Sequence, residues 1–229
     1  MKKIRLISTL LILLLSVSAC SAYIERESPE ADKSVEEPTE GRVLEELAEV
    51  EIREYEGEDL SSILDFQENS ISGPQDVDIE TYRLSIDGLV KNPMSYSYDE
   101  ALELQNYTKV VNMYCVTGWN VTILWEGILV ADLLKEAVID TSAKTVIFHA
   151  VDDYTTSLPL DFILENDILL AYKINEVVLP KENGYPFQLV AEDKLGYKWI
   201  RWVNRIELSD DENYKGFWES RGYNNEADV

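Results

Sequence analysis

Apolar and polar residues alternate with a period of two over Tyr82 to Val90. Tyr82, Leu84 and Ile86 fall on one side and Arg83, Ser85 and Asp87 on the other, as in a half-buried strand. At Ser97 the pattern changes: Ser97 as N-cap, with Glu100 three residues on, predicts a short helix reaching Gln105. Leu129, Leu133, Leu134 and Ala137 recur at helical spacing and predict another over Val130 to Val138. Thr145 to Val151 is an almost continuous apolar strand, and Asp161 to Asn166 suggests a helical turn. Ile168 to Ile174 and Val177 to Leu179 read as a hairpin closed by Asn175-Glu176, where glycine would be the better second turn residue. Asn183-Gly184-Tyr185-Pro186 is a loop, and Phe187 to Ala191 another short strand. The stretch most suggestive of chemistry is Val110 to Gly127, VVNMYCVTGWNVTILWEG. There Val110, Val111 and Met113 deliver Cys115 to a Thr117-Gly118 turn, with Trp119 and Trp125 close behind.

The pattern fades towards the amino terminus. Residues 20–59 are rich in Glu, Asp, Ser and Pro and poor in apolar side chains, too poor to offset the entropy of ordering. They predict a solvated tether in which Leu44, Leu47, Val50 and Ile52 offer a short amphipathic turn or an edge strand. Residues 1–19 read as targeting sequence: Lys2, Lys3 and Arg5 form a positive region, Leu6 to Val17 an apolar one, and Val17-Ser18-Ala19 a small-residue cleavage site. The apolar span is short for a transmembrane helix. Cys20, directly after the small residues, resembles a bacterial lipobox cysteine. That resemblance implies a lipid-modified amino terminus holding the protein at the extracytoplasmic face of a bacterial cell membrane; an ordinary signal peptide is the alternative. Residues 60–229 are left as the folded domain.

With 229 residues, 45% of them hydrophobic, the chain has material for one domain and a tail. Its formal charge of −24 excludes nucleic acid as a natural partner, because neutralising phosphates needs a basic face. Export also bears on the cysteines. If Cys20 is acylated, Cys115 has no pairing partner in a compartment where cysteines usually pair, which marks it as a ligand or a reactive thiol. A soft thiolate suits a transition metal. The single histidine, His149, cannot supply a pair of haem ligands. Around Gly196, where the backbone can approach a ligand, Lys198, Arg201 and Arg205 concentrate positive charge. A terminal phosphate would fit them through charge-assisted bonds; the alternative is that they offset the chain's own carboxylates.

CVTGW at Cys115, WEG at Trp125, FHAVDDYTTSLPLD, LLAYKINEVVLP, NGYPFQLVAEDKLGYKWIRW and GFWESRGY follow one another between Ser61 and Val229. Together they resemble the molybdopterin-binding domain of the sulfite oxidase and methionine-sulfoxide reductase family. The resemblance implies an α+β, β-rich fold and a molybdenum-molybdopterin cofactor (Mo cofactor). It makes Cys115 the catalytic residue and the only protein ligand of the metal, in an enzyme of two-electron oxygen-atom transfer. Asn69, His149, Ala150, Asn183, Gln188, Lys198, Trp199, Ile200 and Arg201 fall at positions of cofactor contact. Gln188 stands where some members carry arginine, keeping a donor but no charge. Sulfite-oxidising relatives hold their anion with arginines beside the cysteine, whereas Val116 to Val121 has none. With Tyr114, Trp119 and Trp125 near, the expected pocket is weakly charged and suits a neutral S-oxide or N-oxide. The absence of a haem domain implies a separate electron-transfer partner. Lys2-Lys3-Ile4-Arg5 is not the twin-arginine signal of relatives exported with cofactor. The rival expectation is therefore a cofactor-free surface lipoprotein that binds a small ligand or a protein.

Overall fold

Residues 40–229 are described by the computed structural model; residues 1–39, which include Cys20, lie outside the described residues. The described residues begin with helix α1 (Glu40–Ala48) and the hairpin β1 (Glu54–Tyr55) and β2 (Glu58–Asp59), followed by β3 (Leu84–Gly88), β4 (Met94–Tyr96) and α2 (Tyr98–Leu102). A long hairpin, β5 (Asn106–Tyr114) and β6 (Asn120–Leu129), leads into α3 (Val130–Ala137). Then come β7 (Thr145–Ala150), β8 (Thr155–Pro159), α4 (Leu160–Glu165), β9 (Leu169–Ile174), β10 (Val177–Val178), β11 (Gln188–Val190) and β12 (Val203–Ser209). Two larger sheets result. In one, β10, β9, β6 and β5 lie side by side, with β11 also on β9; the other runs β4-β3-β12-β7-β8, parallel only between β3 and β12. The α+β, β-rich expectation is the architecture found.

Local signals explain most elements. Tyr82, Leu84 and Ile86 are buried as the alternation requires. Ser97 accepts from Glu100 N while Glu100 accepts from Ser97 N, so the expected capping box starts α2. On α3 three of the four periodic residues, Leu133, Leu134 and Ala137, are buried, each leucine contributing roughly 1.5–3 kcal/mol of burial; Leu129 is the half-buried N-cap, and Val130 takes the inward place instead. The turn between β9 and β10 is Asn175-Glu176 with φ of 46° and 66°, the left-handed pair of a two-residue hairpin, formed without glycine.

Three features depart from the sequence reading. The tether boundary at residue 59 is too late, because α1 and the β1–β2 hairpin belong to the folded body, with Leu44 and Leu47 packed against the core. The acidic composition that argued against folding hides one carboxylate that folding uses. Glu51 is buried and accepts from Ser62 Oγ (2.5 Å), Ile63 N (3.0 Å) and Asn175 Nδ2 (2.7 Å). Asn175, also buried, donates to Ser61 O (2.9 Å) and accepts from Leu124 N (3.1 Å), which ties the amino-terminal segment to β6. The unanticipated β8 is too polar to stand out, and β12 carries a bulge between Val203 and Arg205 that breaks its period of two.

Candidate active site

The tip of the β5–β6 hairpin is closed by Cys115 N donating to Trp119 O (2.9 Å) and Gly118 N to Cys115 O (3.0 Å). Gly118 sits at φ +94°, a conformation costly for any side chain, so the glycine fixes where the cysteine is presented. Leu195 bridges Tyr114 and brings Gly196 alongside. A Cβ on Gly196 would lie 3.3 Å from Tyr114 O and 3.4 Å from Cys115 Cα, so a side chain at residue 196 would press on the strand end that carries the cysteine and require a shift of a few tenths of an ångström.

Between these pieces lies a cavity of about 240 Å³. Met113, Cys115, Val116 and Thr117 come from the hairpin, Asp152 and Tyr154 from the β7–β8 turn, and Asn69, Ser70 and Ile71 from the irregular segment before β3. Gly196, Tyr197 and Trp199 to Trp202 form a further wall; Trp218 and Tyr223 reach in from the carboxy-terminal segment. Cys115 is free and only 8% exposed. Its sulfur lies 3.4 Å from Asn69 Nδ2 and 3.2 Å from Thr117 Oγ1. Arg201 donates to Asn69 Oδ1 (2.9 Å) and Glu182 O (3.0 Å) and pairs with Glu68. Tyr154 donates to Tyr197 O (2.6 Å), and burial raises its pKa well above the ordinary tyrosine range.

Of the residues singled out from sequence, Cys115, Asn69, Trp199, Ile200 and Arg201 share this cavity. The others do not line it. His149 lies on the face of the second sheet, its Nε2 2.9 Å from Glu207 Oε2 and 3.2 Å from Arg205 Nη1. Ala150 is buried beside it and donates its N–H to Tyr154 O. Asn183 is buried in the turn beneath Arg201, whose guanidinium bonds the preceding carbonyl. Gln188 is 1% exposed on β11, and neither its amide oxygen nor its nitrogen has a hydrogen-bond partner among the described residues.

The expected cluster of cations is dispersed. Lys198, fully buried, donates to Glu219 Oε1 (2.6 Å), Ser157 O (2.9 Å) and Asn225 Oδ1 (3.2 Å). Arg201 faces Glu68, and Arg205 faces Asp87 and Glu207. Each cation is thus matched by the chain's own carboxylates. The aromatic expectation is corrected too. Trp125 is wholly buried, with ring centroids 5.8 Å from Trp199 and 6.2 Å from Phe66, while Trp119 packs edge-on against Phe66. The cavity's aromatic walls are instead Tyr154, Tyr197, Trp199, Trp202, Trp218 and Tyr223. Tyr154 and Trp218 lie within FHAVDDYTTSLPLD and GFWESRGY, the only sequence signal that marked them.

Among the described residues no group of three or more His, Cys, Asp or Glu side chains could hold a metal ion. A metal here would have one soft thiolate, Cys115, from the described residues, a donor set that fits a metal delivered on its own sulfur chelate.

The model of the oxidoreductase molybdopterin binding domain family matches residues 71–218. The uncharacterized oxidoreductase YuiH of Bacillus subtilis (strain 168) is 34% identical over 152 residues, 66% of this chain and 76% of that protein. The protein-methionine-sulfoxide reductase catalytic subunit MsrP of Gluconobacter oxydans (strain 621H) is 32% identical over 149 residues, covering 57% of this chain and 48% of that protein. The sulfane dehydrogenase SoxCD from Paracoccus pantotrophus shares the fold, with a TM-score of 0.58 and 24% identity over 63% of this chain and 41% of that one. The chain therefore spans most of YuiH but about half of MsrP.

Proposed function

The chain belongs to the oxidoreductase molybdopterin binding domain family, and on that premise we propose that it is a molybdenum-cofactor oxidoreductase acting on a small, neutral S-oxide or N-oxide, with Cys115 as the one protein ligand of the metal. The observation that carries this reading is the free thiol in the wall of an aromatic cavity that offers no other metal-binding cluster among the described residues. When bound, the cofactor supplies two-electron oxygen-atom transfer.

The chain's own part is positional. The Gly118 turn and the Gly196 segment fix the sulfur in the wall, and Asn69 and Thr117 lie within hydrogen-bonding reach of it. Trp199, Trp202, Trp218 and Tyr223 give an apolar enclosure that limits water around the reacting centre. Arg201 is the cavity's one cationic side chain among the described residues, and Glu68 faces it. That balance suits a neutral oxide better than sulfite. Electrons come from a separate partner, and acylation at Cys20, outside the described residues, holds the domain at the membrane.

A second reading has specific support: a cofactor-free binding protein. Lys198 is closed into a buried ion pair, and Gln188 carries no charge, so neither offers a cation to a phosphate.

One experiment separates them. The chain is expressed in a molybdenum-replete host beside Cys115→Ser, with metal measured by mass spectrometry and released pterin by fluorescence. Near-stoichiometric metal and pterin, with metal lost from the serine variant, is the expected result. Pterin without a Cys115-dependent metal removes the ligand assignment, and neither group in the wild type favours the binding protein.

A further inference from the structure

Arg201 is placed to meet a ligand, yet its fork is committed within the chain. One terminal nitrogen donates to Glu68 and to Glu182 O, and the other to Asn69 Oδ1 at 2.9 Å, with the side chain 10% exposed. Its stem is fixed from below by Gly184 at φ +101°, where a Cβ would lie 2.8 Å from Arg201 Cβ. The consequence falls on Asn69. A carboxamide has one acceptor end and one donor end; with the oxygen held by the guanidinium, the nitrogen is turned to Cys115 Sγ at 3.4 Å. The segment carrying Asn69 has neither helix nor strand over residues 66–83, and Asn69 to Ile71 lie in the cavity wall beside Cys115.

We propose that Arg201 is a positioning residue acting through Asn69: it pins the irregular segment across the cavity and delivers the Asn69 N–H to the Cys115 sulfur. This rests on the cavity being the reaction site and adds how the metal ligand is oriented. Asn69 Nδ2 and Thr117 Oγ1 both lie within hydrogen-bonding reach of the sulfur, which limits the directions left for a metal. Lysine cannot substitute, because a point charge reaches Glu68 or Asn69 but does not span both as a planar fork does.

The test uses cofactor-free full chain carrying Cys20→Ser, so that Cys115 is the only thiol. At one fixed pH, Cys115 is modified with small iodoacetamide and, separately, with the bulky disulfide 5,5′-dithiobis(2-nitrobenzoate). The ratio of the two rates reports access rather than intrinsic thiol reactivity. Losing a charge-assisted latch predicts that Arg201→Gln raises the bulky-to-small ratio on the order of tenfold or more. Arg201→Lys gives an intermediate ratio, and Glu68→Gln, a milder change that keeps Arg201, a smaller rise; circular dichroism checks that each is folded. An unchanged ratio in folded Arg201→Gln overturns the proposal, as does full restoration by lysine. If Arg201→Gln does not fold, the Glu68→Gln ratio decides in the same way. No molybdenum is needed for this readout. A protein that lacks cofactor but shows the rise keeps the latch and loses the redox reading, and the reverse pair loses only the latch.

Discussion

Removing the carboxylate of Glu219 is the sharpest perturbation available outside the cavity. Lys198 and Glu219 side chains are both 0% exposed and 2.6 Å apart. The ammonium has two neutral acceptors besides Glu219, while Glu219 Oε1 also accepts from Thr156 Oγ1 (2.7 Å) and its Oε2 has no partner among the described residues. In Glu219→Gln a buried cation keeps only neutral acceptors. Breaking one side of such a pair costs about 3–5 kcal/mol, a large share of the roughly 5–15 kcal/mol that holds a domain folded. Lys198→Met leaves the mirror-image fault. The double change Lys198→Met with Glu219→Leu removes both charges and should cost several kcal/mol less than the two single costs added.

Urea unfolding followed by tryptophan fluorescence measures all four corners, since Trp199 and Trp218 adjoin the pair in sequence. There is also a pH signature. Burial, the largest influence, lowers the Lys198 pKa, with the Glu219 bond and charge opposing it. Without Glu219 the native state sheds that proton at lower pH than the unfolded chain, so the unfolded chain binds more protons and stability rises with pH towards the ordinary lysine range. The deficit of Glu219→Gln should therefore shrink as pH climbs. Single-variant costs below about 1 kcal/mol, or costs that simply add in the double variant, would refute the reasoning.

Asn175→Ala removes the bonds to Glu51, Ser61 and Leu124 and puts alanine at φ 46°; a loss of about 3 kcal/mol is expected in the same urea assay. Gly216→Ala would place a Cβ 2.2 Å from Thr155 O and 2.8 Å from Glu219 Oε2, so a loss of about 3 kcal/mol is expected, read as a lowered thermal midpoint. Burial raises the pKa values of Tyr82, Tyr98 and Tyr154. Their stabilisation is complete below the ordinary tyrosine pKa and is lost above it, where the unfolded chain releases protons the native state retains. Tyrosinate absorbance should thus develop for them only together with loss of the circular dichroism signal. Their ionisation beside exposed tyrosines in an intact fold would contradict the burial.

Sequence by itself determined the elements whose signals are local. The Ser97 capping box, the Leu133, Leu134 and Ala137 face of α3 and the Asn175-Glu176 turn need only neighbours a few residues away, and each is present. It also marked Cys115, because an unpaired thiol before a glycine turn is a local pattern. What it could not determine was which distant groups meet. Lys198, Arg201 and Arg205 lie close in sequence, but a 3-10 turn, an irregular segment and a strand direct them to Glu219, Glu68 and Asp87 respectively. Trp125 carries the same indole as Trp199, and only its position on β6 places it in the core rather than in the cavity wall. In residues 40–59 the spacing of Leu44 and Leu47 hinted at a helical turn, but what docks the segment was hidden, since Glu51 is an ordinary acidic residue until Asn175, Ser62 and Ile63 close around it. Composition and spacing report what a residue prefers on average. The partner that satisfies a buried charge comes from another part of the chain, so tertiary structure alone decided which carboxylate each of these cations faces.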